Sequence, residues 1–304
     1  MKRYIIKRII ISIATIFVLI TATFFMVKLI PGNPFYSPEI PKNVQEKLTV
    51  FYGLDKPVAE QYFTYLSNLL HGDFGVSLKK NGTPVVDIIA QFFPTSLKLG
   101  LLALVFAQLF GNLFGVLAAQ FRGRWPDYVL IVLATLGVAL PSMVIGPLMR
   151  YLFGVVWQIL PPIGWGTIYQ AIMPAFVLGL ASFASCTRNM RASMLGVTTQ
   201  DYIKTARAKG LPPYKIVWMH ELKNSFVPIM SGMGVSVANV LMGSFVVETI
   251  FLVPGLGKYF TTSISTLDYP LIMGLTLFYG TVLVIANFIV DLLYGVVDPH
   301  IRLG

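Results

Sequence analysis

Residues Ser96 to Ala119 read SLKLGLLALVFAQLFGNLFGVLAA, and Lys98 is the only charged residue among them. The hydrocarbon core of a bilayer is about 30 Å thick, and an α-helix rising about 1.5 Å per residue crosses it with roughly 20 apolar residues. This stretch is long enough to cross. It predicts a membrane-spanning helix and thereby decides the class of the fold.

The composition of the whole chain agrees with a membrane protein. Hydrophobic residues make up 56% of the 304 residues and charged residues only 12%, whereas soluble domains average about 25% charged residues. Cys186 is the only cysteine, so it cannot form an internal disulfide, and the three histidines are scattered along the chain. We therefore expect neither a disulfide scaffold nor a metal site.

Five further apolar stretches bring the number of predicted spans to six, which makes the chain an all-α polytopic membrane protein. The basic start MKRYIIKR resembles that of a signal peptide. The apolar stretch after it is too long for one, and no small-x-small cleavage site follows, so we expect a retained N-terminal anchor over residues 1–30. The five other predicted spans are Ile9 to Ile30, Tyr128 to Met149, Ile168 to Thr187, Pro228 to Ile250 and Leu271 to Val297.

Lysine and arginine near the span ends predict the orientation, because cytoplasmic loops carry the excess of these residues. The opposite short connections hold only Arg150 and Lys258. Both termini are therefore expected in the cytoplasm, and topology explains most of the net charge of +10 without a nucleic-acid partner. The residues on the predicted cytoplasmic side are Lys2, Arg3, Lys7, Arg8, Arg122, Arg124, Arg188, Arg191, Lys204, Arg207, Lys209, Lys215, Lys223 and Arg302.

Residues 31–95 form a long polar segment on the predicted outer side. Their lysines and acids nearly balance, and apolar residues recur at helical spacing within them. We expect a small helical cap rather than a disordered loop, because the apolar content is too high for disorder. The recurring residues are Tyr62, Phe63, Tyr65, Leu66, Leu69 and Leu70.

Residues 188–227 form the second polar segment, on the predicted cytoplasmic side. Thr198 to Asp201 has the pattern of a capping box with Asp in place of Glu, and Gly210 precedes Pro212 and Pro213. This predicts two short helices with a sharp bend between them. Ile203, Ala206 and Gly210 share one face of the first helix. Such an amphipathic helix could dock a partner or simply face lipid headgroups.

The sequence offers no catalytic residues, because each enzyme-like motif fails its spacing test. His220-Glu221 lacks the second histidine of a zinc protease motif, and Gly234 to Ala238 is a near miss to a nucleophile elbow within an apolar helix. Gly255 to Lys258 resembles the end of a phosphate-binding loop, but Leu252 and Tyr259 occupy positions that require glycine and Ser or Thr. Any ATP must be hydrolysed by another subunit.

Two acids near span ends, Glu248 and Asp291, are open to two interpretations. They could relay protons in a secondary transporter, or they could serve structural or interface roles. Small residues in the fifth span suit either tight helix packing or a lined pathway. The pathway candidates there are Ser231, Gly234, Ser236 and Asn239.

Ordered sequence strings give the chain a resemblance to a known family. Gln200 to Ile229, QDYIKTARAKGLPPYKIVWMHELKNSFVPI, resembles the coupling loop of bacterial ABC importer permeases of the oligopeptide, dipeptide and nickel group. The resemblance covers nearly the whole chain. Further matching strings are PGNPF (Pro31 to Phe35), YGLDKP (Tyr52 to Pro57), LLHGDFGVSL (Leu69 to Leu78), ALPSMVIG (Ala139 to Gly146), VVETIFLVPGLGKYF (Val246 to Phe260), DYP (Asp268 to Pro270) and DPHIR (Asp298 to Arg302).

The resemblance implies a type I ABC importer permease in the bacterial cytoplasmic membrane. Such a subunit pairs with a second, similar permease, sits above two cytoplasmic ATPases that bind ATP and magnesium, and receives substrate from an extracytoplasmic binding protein. The core would comprise residues 96–304, and no cofactor is expected in this chain. The segment that the resemblance assigns to ATPase docking is Asp201, Tyr202, Ile203, Lys204, Thr205, Ala206, Arg207, Ala208, Lys209, Gly210 and Leu211.

The chain departs from the general importer pattern at two places. Lys204, Thr205 and Ala206 stand where that pattern has Glu-Ala-Ala, and Lys223 replaces a later proline. The string PGNPF is closest to the oligopeptide-type subunits, so oligopeptides are the expected substrate. Dipeptides, nickel and glutathione remain alternatives within the family, and a proton-coupled secondary transporter is the alternative from another class.

Overall fold

The computed structural model describes residues 2–29, 42–51, 53–80, 82–226, 229 and 245–297. This part of the chain is helical apart from turns and an isolated antiparallel bridge between Val76 and Pro84, which confirms the all-α prediction. The helices are α1 (Lys2–Leu29), α2 (Lys42–Phe51), α3 (Val58–Leu70), α4 (Val85–Gln120), α5 (Trp125–Ala139), α6 (Ser142–Met149), α7 (Ile168–Thr198), α8 (Asp201–Ala208), α9 (Pro213–Ile216), α10 (Phe245–Phe251), α11 (Gly257–Ser265) and α12 (Tyr269–Val297), with π-helical turns at Arg150–Val156 and Val217–Glu221.

Four helices are long and apolar enough to cross a membrane, and they correspond to the first, second, fourth and sixth predicted spans. They are α1, α4, α7 and α12, and the bent pair of α5 with the helix after it makes a fifth candidate. Most of the predicted span Pro228 to Ile250 lies outside the described residues. Within this predicted span, the structure describes only Ile229 and the residues of α10.

The prediction of one uninterrupted helix from Tyr128 to Met149 is wrong. The chain bends by 107° between Ala139 and Ser142, where Leu140 is extended with ψ 122° and Pro141 precedes α6. Proline has no N–H to donate and disfavours helical geometry at the residue before it, so the helix ends there. Pro147 lies inside α6, and the π-helical turn follows directly.

Two spans are longer than the apolar stretches that predicted them. α4 begins at Val85 rather than near Ser96 and runs through Pro94. Val85 and Ile88 are buried in a cluster with Leu271 and Leu275 of α12, which explains why the helix starts early. α7 continues past Thr187 to Thr198. Each helix is therefore longer than the roughly 20 residues that cross the hydrocarbon core.

The centre of the fold is the packing of α4 against α7. A small residue recurs every fourth position along α4, at Ala103, Ala107, Gly111 and Gly115. A Cβ on Gly111 would lie 2.7 Å from Cys186 Cβ, and one on Gly115 would lie 2.5 Å from Met190 Cβ. Backbones in membranes approach this closely only through small residues. Moving one turn along α4, from Gly111 to Gly115, moves the contact one turn forward along α7, from Cys186 to Met190. The two helices therefore run parallel, as expected for second and fourth spans.

α1 packs along α12, where a Cβ on Gly280 would clash with the side chain of Leu19. At its C-terminal end α1 also holds α3, since the Phe24 ring stacks on Tyr65 and contacts Tyr62 edge-on. Thr21 and Tyr62 share a hydrogen bond of 2.7 Å, and Lys28 Nζ donates to Gln61 Oε1. The described part of the predicted cap is thus attached to the first span.

Candidate functional site

The most informative polar segment is the one between α7 and residue 226. It lies at the end of the spans that carries Arg122, Arg124 and Arg191, which we call the basic end. α8 and α9 are two short helices with a turn between them, as the sequence predicted. Gly210 makes that turn with φ +74°, and its N–H donates to Arg207 O at 2.9 Å. Glycine adopts this left-handed conformation without the Cβ penalty of other residues.

The predicted capping box at Thr198 to Asp201 is wrong. α7 continues to Thr198, and the N-cap of α8 is Gln200, whose side chain makes no cap hydrogen bond. The two threonine hydroxyls instead donate back into α7, Thr198 to Met194 O at 2.8 Å and Thr199 to Gly196 O at 2.9 Å. These threonines end one helix rather than begin the next, which sequence spacing alone does not distinguish.

One face of α8 is buried and the other is exposed. Ile203 and Ala206 form a small core with Ile216 of α9, and Val197 and Leu211 pack against it. Gly210, predicted to share a face with Ile203 and Ala206, is exposed. Tyr202, Lys204, Arg207 and Lys209 are exposed as well, and so are several large apolar residues beyond the turn. Those further residues are Tyr214, Trp218 and Met219.

A buried carboxylate ties this segment to α4. Glu221 is 2% exposed, and its Oε2 accepts a hydrogen bond of 3.0 Å from Gln120 Nε2 at the end of α4. Its Oε1 accepts one of 3.3 Å from Arg207 Nη2 in α8. In the sequence, Glu221 stands out only as part of an incomplete zinc protease motif. Its structural position gives it a different role, as the bridge between α8 and a span.

An ion pair at the basic end joins α5 to α7. Arg191 donates two hydrogen bonds of 2.7 Å to the Asp127 carboxylate, from Nε to Oδ1 and from Nη2 to Oδ2. The N–H of Gly123 adds a third, 3.0 Å from Oδ2. A bidentate pair of this kind fixes orientation as well as distance. From the sequence, Arg191 is recognisable only as one of the positive charges that indicate topology.

At the opposite end, Asp268 fixes a turn of the predicted cap to the start of α12. Asp268 is 1% exposed, and Ser77 Oγ donates to its Oδ2 at 2.5 Å. The N–H of Leu78 donates to Oδ1 at 3.1 Å, and that of Lys79 donates to Oδ2 at 3.3 Å. The residues between α3 and α4 are therefore attached to a span rather than free.

A cavity of about 470 Å³ lies beside this turn, between α1, α3 and the start of α12. The Tyr65 hydroxyl is buried there and has no hydrogen-bond partner in the described part of the chain. Burial raises the pKa of this hydroxyl, because the phenolate would lose its hydration. The tyrosine therefore stays neutral, and the cavity wall at this point is uncharged.

In the segment that resembles a phosphate-binding loop, the side chain of Glu248 occupies the space beside the glycines. The Gly257 N–H donates to Glu248 Oε2 at 2.9 Å, and a Cβ on Gly255 would lie 2.5 Å from the Glu248 carboxylate carbon. A carboxylate at that position would repel a phosphate. Glu248 itself is 1% exposed and also accepts a hydrogen bond from Ser96.

Several predicted residues lie where the structure gives no side-chain description. The pathway candidates Ser231, Gly234, Ser236 and Asn239 fall outside the described residues, and so does the side chain of Asp291. Within the described ranges, no group of three His, Cys, Asp or Glu side chains is placed to hold a metal ion.

Comparison with known proteins places this architecture in a family. The model of the binding-protein-dependent transport system inner membrane component matches residues 111–303, and the N-terminal model of the same system matches residues 1–100. The dipeptide transport system permease protein DppB of Bacillus subtilis is 43% identical, over 100% of this chain and 99% of that protein. The oligopeptide transport system permease protein OppB of Escherichia coli K12 is 41% identical, over 99% of this chain and 100% of that protein. The two models together match nearly all of the chain, and both relatives match over nearly their whole length. This chain therefore belongs to the family of binding-protein-dependent transport system inner membrane components.

Proposed function

We propose that this chain is a membrane-spanning permease subunit of an ATP-driven importer, and that it forms half of a translocation pathway for peptides. The observation that carries the proposal is α8, an amphipathic helix that directly follows the long span α7, buries Ile203 and Ala206 and exposes Lys204 and Arg207. The family match and the two relatives, whose names specify dipeptide and oligopeptide transport, support it. A second, homologous permease subunit would complete the pathway.

The proposed topology has six spans with both termini in the cytoplasm. The four long helices, the bent pair and the predicted span Pro228 to Ile250 would supply the six. The basic end then faces the cytoplasm, in agreement with the excess of Lys and Arg there. The domains would be an anchor at residues 1–30, a cap at 31–95 and a core at 96–304 that includes the coupling loop at 188–227.

The residues Asp201 to Leu211 would dock one of two cytoplasmic ATPase subunits. Those subunits would bind ATP and magnesium and hydrolyse the nucleotide, and this chain would carry no catalytic residue. Exposed Lys204, Arg207 and Lys209 suit an acidic groove on the partner. The buried face of α8, fixed through Ile203 and Ala206, would transmit the partner's movement to the spans.

The cap would form part of the platform for the extracytoplasmic binding protein that delivers substrate. The cap is attached to α1 through Tyr62 and to the start of α12 through Asp268. Docking of the binding protein on the cap would therefore act on two spans. A proton-coupled mechanism would need a carboxyl group that exchanges protons with water. Glu248 is instead enclosed by Ser96 and Gly257, which favours a structural role and hence ATP as the source of energy.

The experiment is uptake of labelled peptides of two to eight residues, and of nickel, in cells that lack this gene and in the same cells with it restored. Restored peptide uptake that resists an uncoupler while ATP is maintained would support the proposal. The length at which uptake ceases would separate a dipeptide from an oligopeptide importer. Restored uptake of nickel alone, or uptake that collapses with the proton gradient despite ample ATP, would overturn it.

A further inference from the structure

Two carboxamide side chains of α4 lie at bilayer depth beside the contact with α7. Gln108 is near the middle of the predicted span Ser96 to Ala119, and Asn112 lies one turn, about 6 Å, closer to the basic end. Both are partly exposed. Asn112 Nδ2 donates to Gln108 O at 2.7 Å, and its Oδ1 accepts from Cys186 Sγ at 3.1 Å. Gln108 Nε2 donates to no group within the described ranges.

Three polar side chains of α7 continue this surface toward the basic end. Ser182, Ser185 and Asn189 recur at helical spacing on the side of α7 next to Cys186, and each is partly or fully exposed. None of them makes a hydrogen bond in the described structure. Other hydroxyls in the spans do so, since Thr135 donates to Ile131 O and Thr187 to Phe183 O. We call Gln108, Asn112, Ser182, Ser185 and Asn189 the polar face.

The other side of the same helix pair has the opposite character. The groove there, with a volume of about 340 Å³, is lined by apolar side chains alone. Polar groups that lack partners are costly in hydrocarbon, because lipid tails supply no hydrogen bonds. The apolar groove is therefore suited to lipid, whereas the polar face needs water or a polar partner. The lining residues of the groove include Leu102, Phe106, Phe110, Ile172 and Phe176.

We propose that the polar face lines the half of the translocation pathway nearest the basic end and exchanges hydrogen bonds with the backbone of a passing peptide. This inference rests on the proposed function and identifies the wall of its pathway. Carboxamides and hydroxyls both donate and accept, as the peptide bond does. The five side chains are uncharged, so they contact the repeating backbone without selecting a side-chain charge.

The test uses thiol accessibility in the assembled importer, reconstituted in lipid vesicles with its partner subunits. Cys186 is the only cysteine of the chain, so Cys186→Ala provides a background without a thiol in this subunit. Ser185→Cys places a thiol on the polar face. Phe110→Cys, on the apolar groove between Gln108 and Asn112 in sequence, is the matched control. A small, cationic, water-soluble methanethiosulfonate reagent is applied, and labelling of this chain is followed by mass.

We expect Ser185→Cys to be labelled at least tenfold faster than Phe110→Cys, because a thiol must meet water to ionise and react. A transported peptide should slow the labelling. Equal rates for the two variants would overturn the inference. The inference would also be overturned if the Ser185→Cys thiol stayed unlabelled with and without ATP but formed a cross-link to the second permease. The polar face would then be a contact between the two subunits. Labelling does not depend on uptake, so failure of this inference is distinguishable from failure of the proposed function.

Discussion

Ser96 and Glu248, far apart in the chain, share a buried hydrogen bond in which Ser96 Oγ donates to Glu248 Oε1 at 2.7 Å. The same Oγ accepts from the Leu256 N–H at 2.8 Å, and the Gly257 N–H donates to Glu248 Oε2 at 2.9 Å. Three segments therefore meet at one carboxylate: α4, α10 and the turn before α11. Both oxygens of the Glu248 carboxylate and the Ser96 hydroxyl therefore have hydrogen-bond partners, as buried polar groups require.

Gly255→Ala should disrupt this cluster. The added Cβ would lie 2.5 Å from the carboxylate carbon of Glu248, which is held from both sides and cannot move away. Overpacking of this kind costs about 1–3 kcal/mol. We expect the variant to lower the thermal midpoint of the purified complex and the amount of permease recovered. Gly196→Ala is the control, because nothing lies within 4 Å of its Cβ position. Equal midpoints for the two variants would contradict the prediction.

The close approach of α4 and α5 to α7 predicts a graded effect of glycine replacement. A Cβ would lie 2.5 Å from Met190 Cβ at Gly115, 3.3 Å from Leu180 O at Gly137, and near no atom at Gly196. Alanine at these three positions should therefore destabilise most at Gly115, slightly at Gly137 and not at Gly196, where it even favours the helix. The order can be measured as the fraction of permease that remains monodisperse in detergent after heating. An order that did not follow these distances would refute helix proximity as the cause.

The four long spans, the two short helices and the glycine turn were predictable because each rests on a local pattern. The apolar run Ser96 to Ala119 and the sequence Gly210 to Pro213 carry their information within a few turns. Pro141 is a local signal for the bend as well. The apolar residues on both sides of it nevertheless have the composition of one continuous span. The partners of Glu221, Asp127 and Asp268 lie far away in sequence, and only the folded chain brings them together. Spacing alone could not identify those pairs.

Loss of the Asp127–Arg191 pair should be strongly destabilising. The Asp127 side chain is 3% exposed and that of Arg191 29%, so removal of one leaves the other charged and largely out of water. Loss of charge-assisted hydrogen bonds like these costs about 1.5–3 kcal/mol. We expect Asp127→Asn and Arg191→Gln to reduce the thermal midpoint and the double variant to cost less than the two singles added.

The control for this pair is Glu60→Gln, which removes an exposed ion pair with Lys56. Exposed pairs contribute little because water and salt screen them. The Glu60 variant should therefore keep the midpoint of the unaltered protein. Additive effects of the two buried substitutions in the double variant would show that the residues act independently, contrary to the prediction.

Asp268→Ala should loosen the cap without unfolding the spans. It removes one side-chain and two backbone hydrogen bonds that hold the turn at Ser77 to Lys79. Hydrogen bonds to a charged group contribute about 1.5–3 kcal/mol each at most. We expect faster proteolysis between α3 and α4 and weaker docking of the binding protein to the reconstituted importer. Asp55→Asn, an exposed acid of the same cap, is the control. Unchanged docking of the binding protein in the Asp268 variant would show that the cap is not part of the docking platform.

Arg207 and Glu221 should determine how much transport each ATP drives. Arg207 is half exposed and could act by touching the ATPase, whereas Glu221 is buried and cannot. If the bridge from α8 through Glu221 to Gln120 transmits the movement of α8, then Arg207→Ala and Glu221→Gln should have the same effect. Each weakens the bridge by about 1 kcal/mol, which would shift an equilibrium between two positions of α8 roughly fivefold. The peptide imported per ATP hydrolysed should fall accordingly.

The measurement is peptide uptake and ATP hydrolysis in the same proteoliposomes, with the amount of co-purified ATPase determined for each variant. Lys215→Ala is the matched control, because Lys215 is an exposed cation of the neighbouring helix α9. We expect ATPase to be retained in all three variants, and the ratio of uptake to hydrolysis to fall only for Arg207→Ala and Glu221→Gln. A low ratio for Arg207→Ala with a normal one for Glu221→Gln would place Arg207 in the docking contact and exclude the bridge.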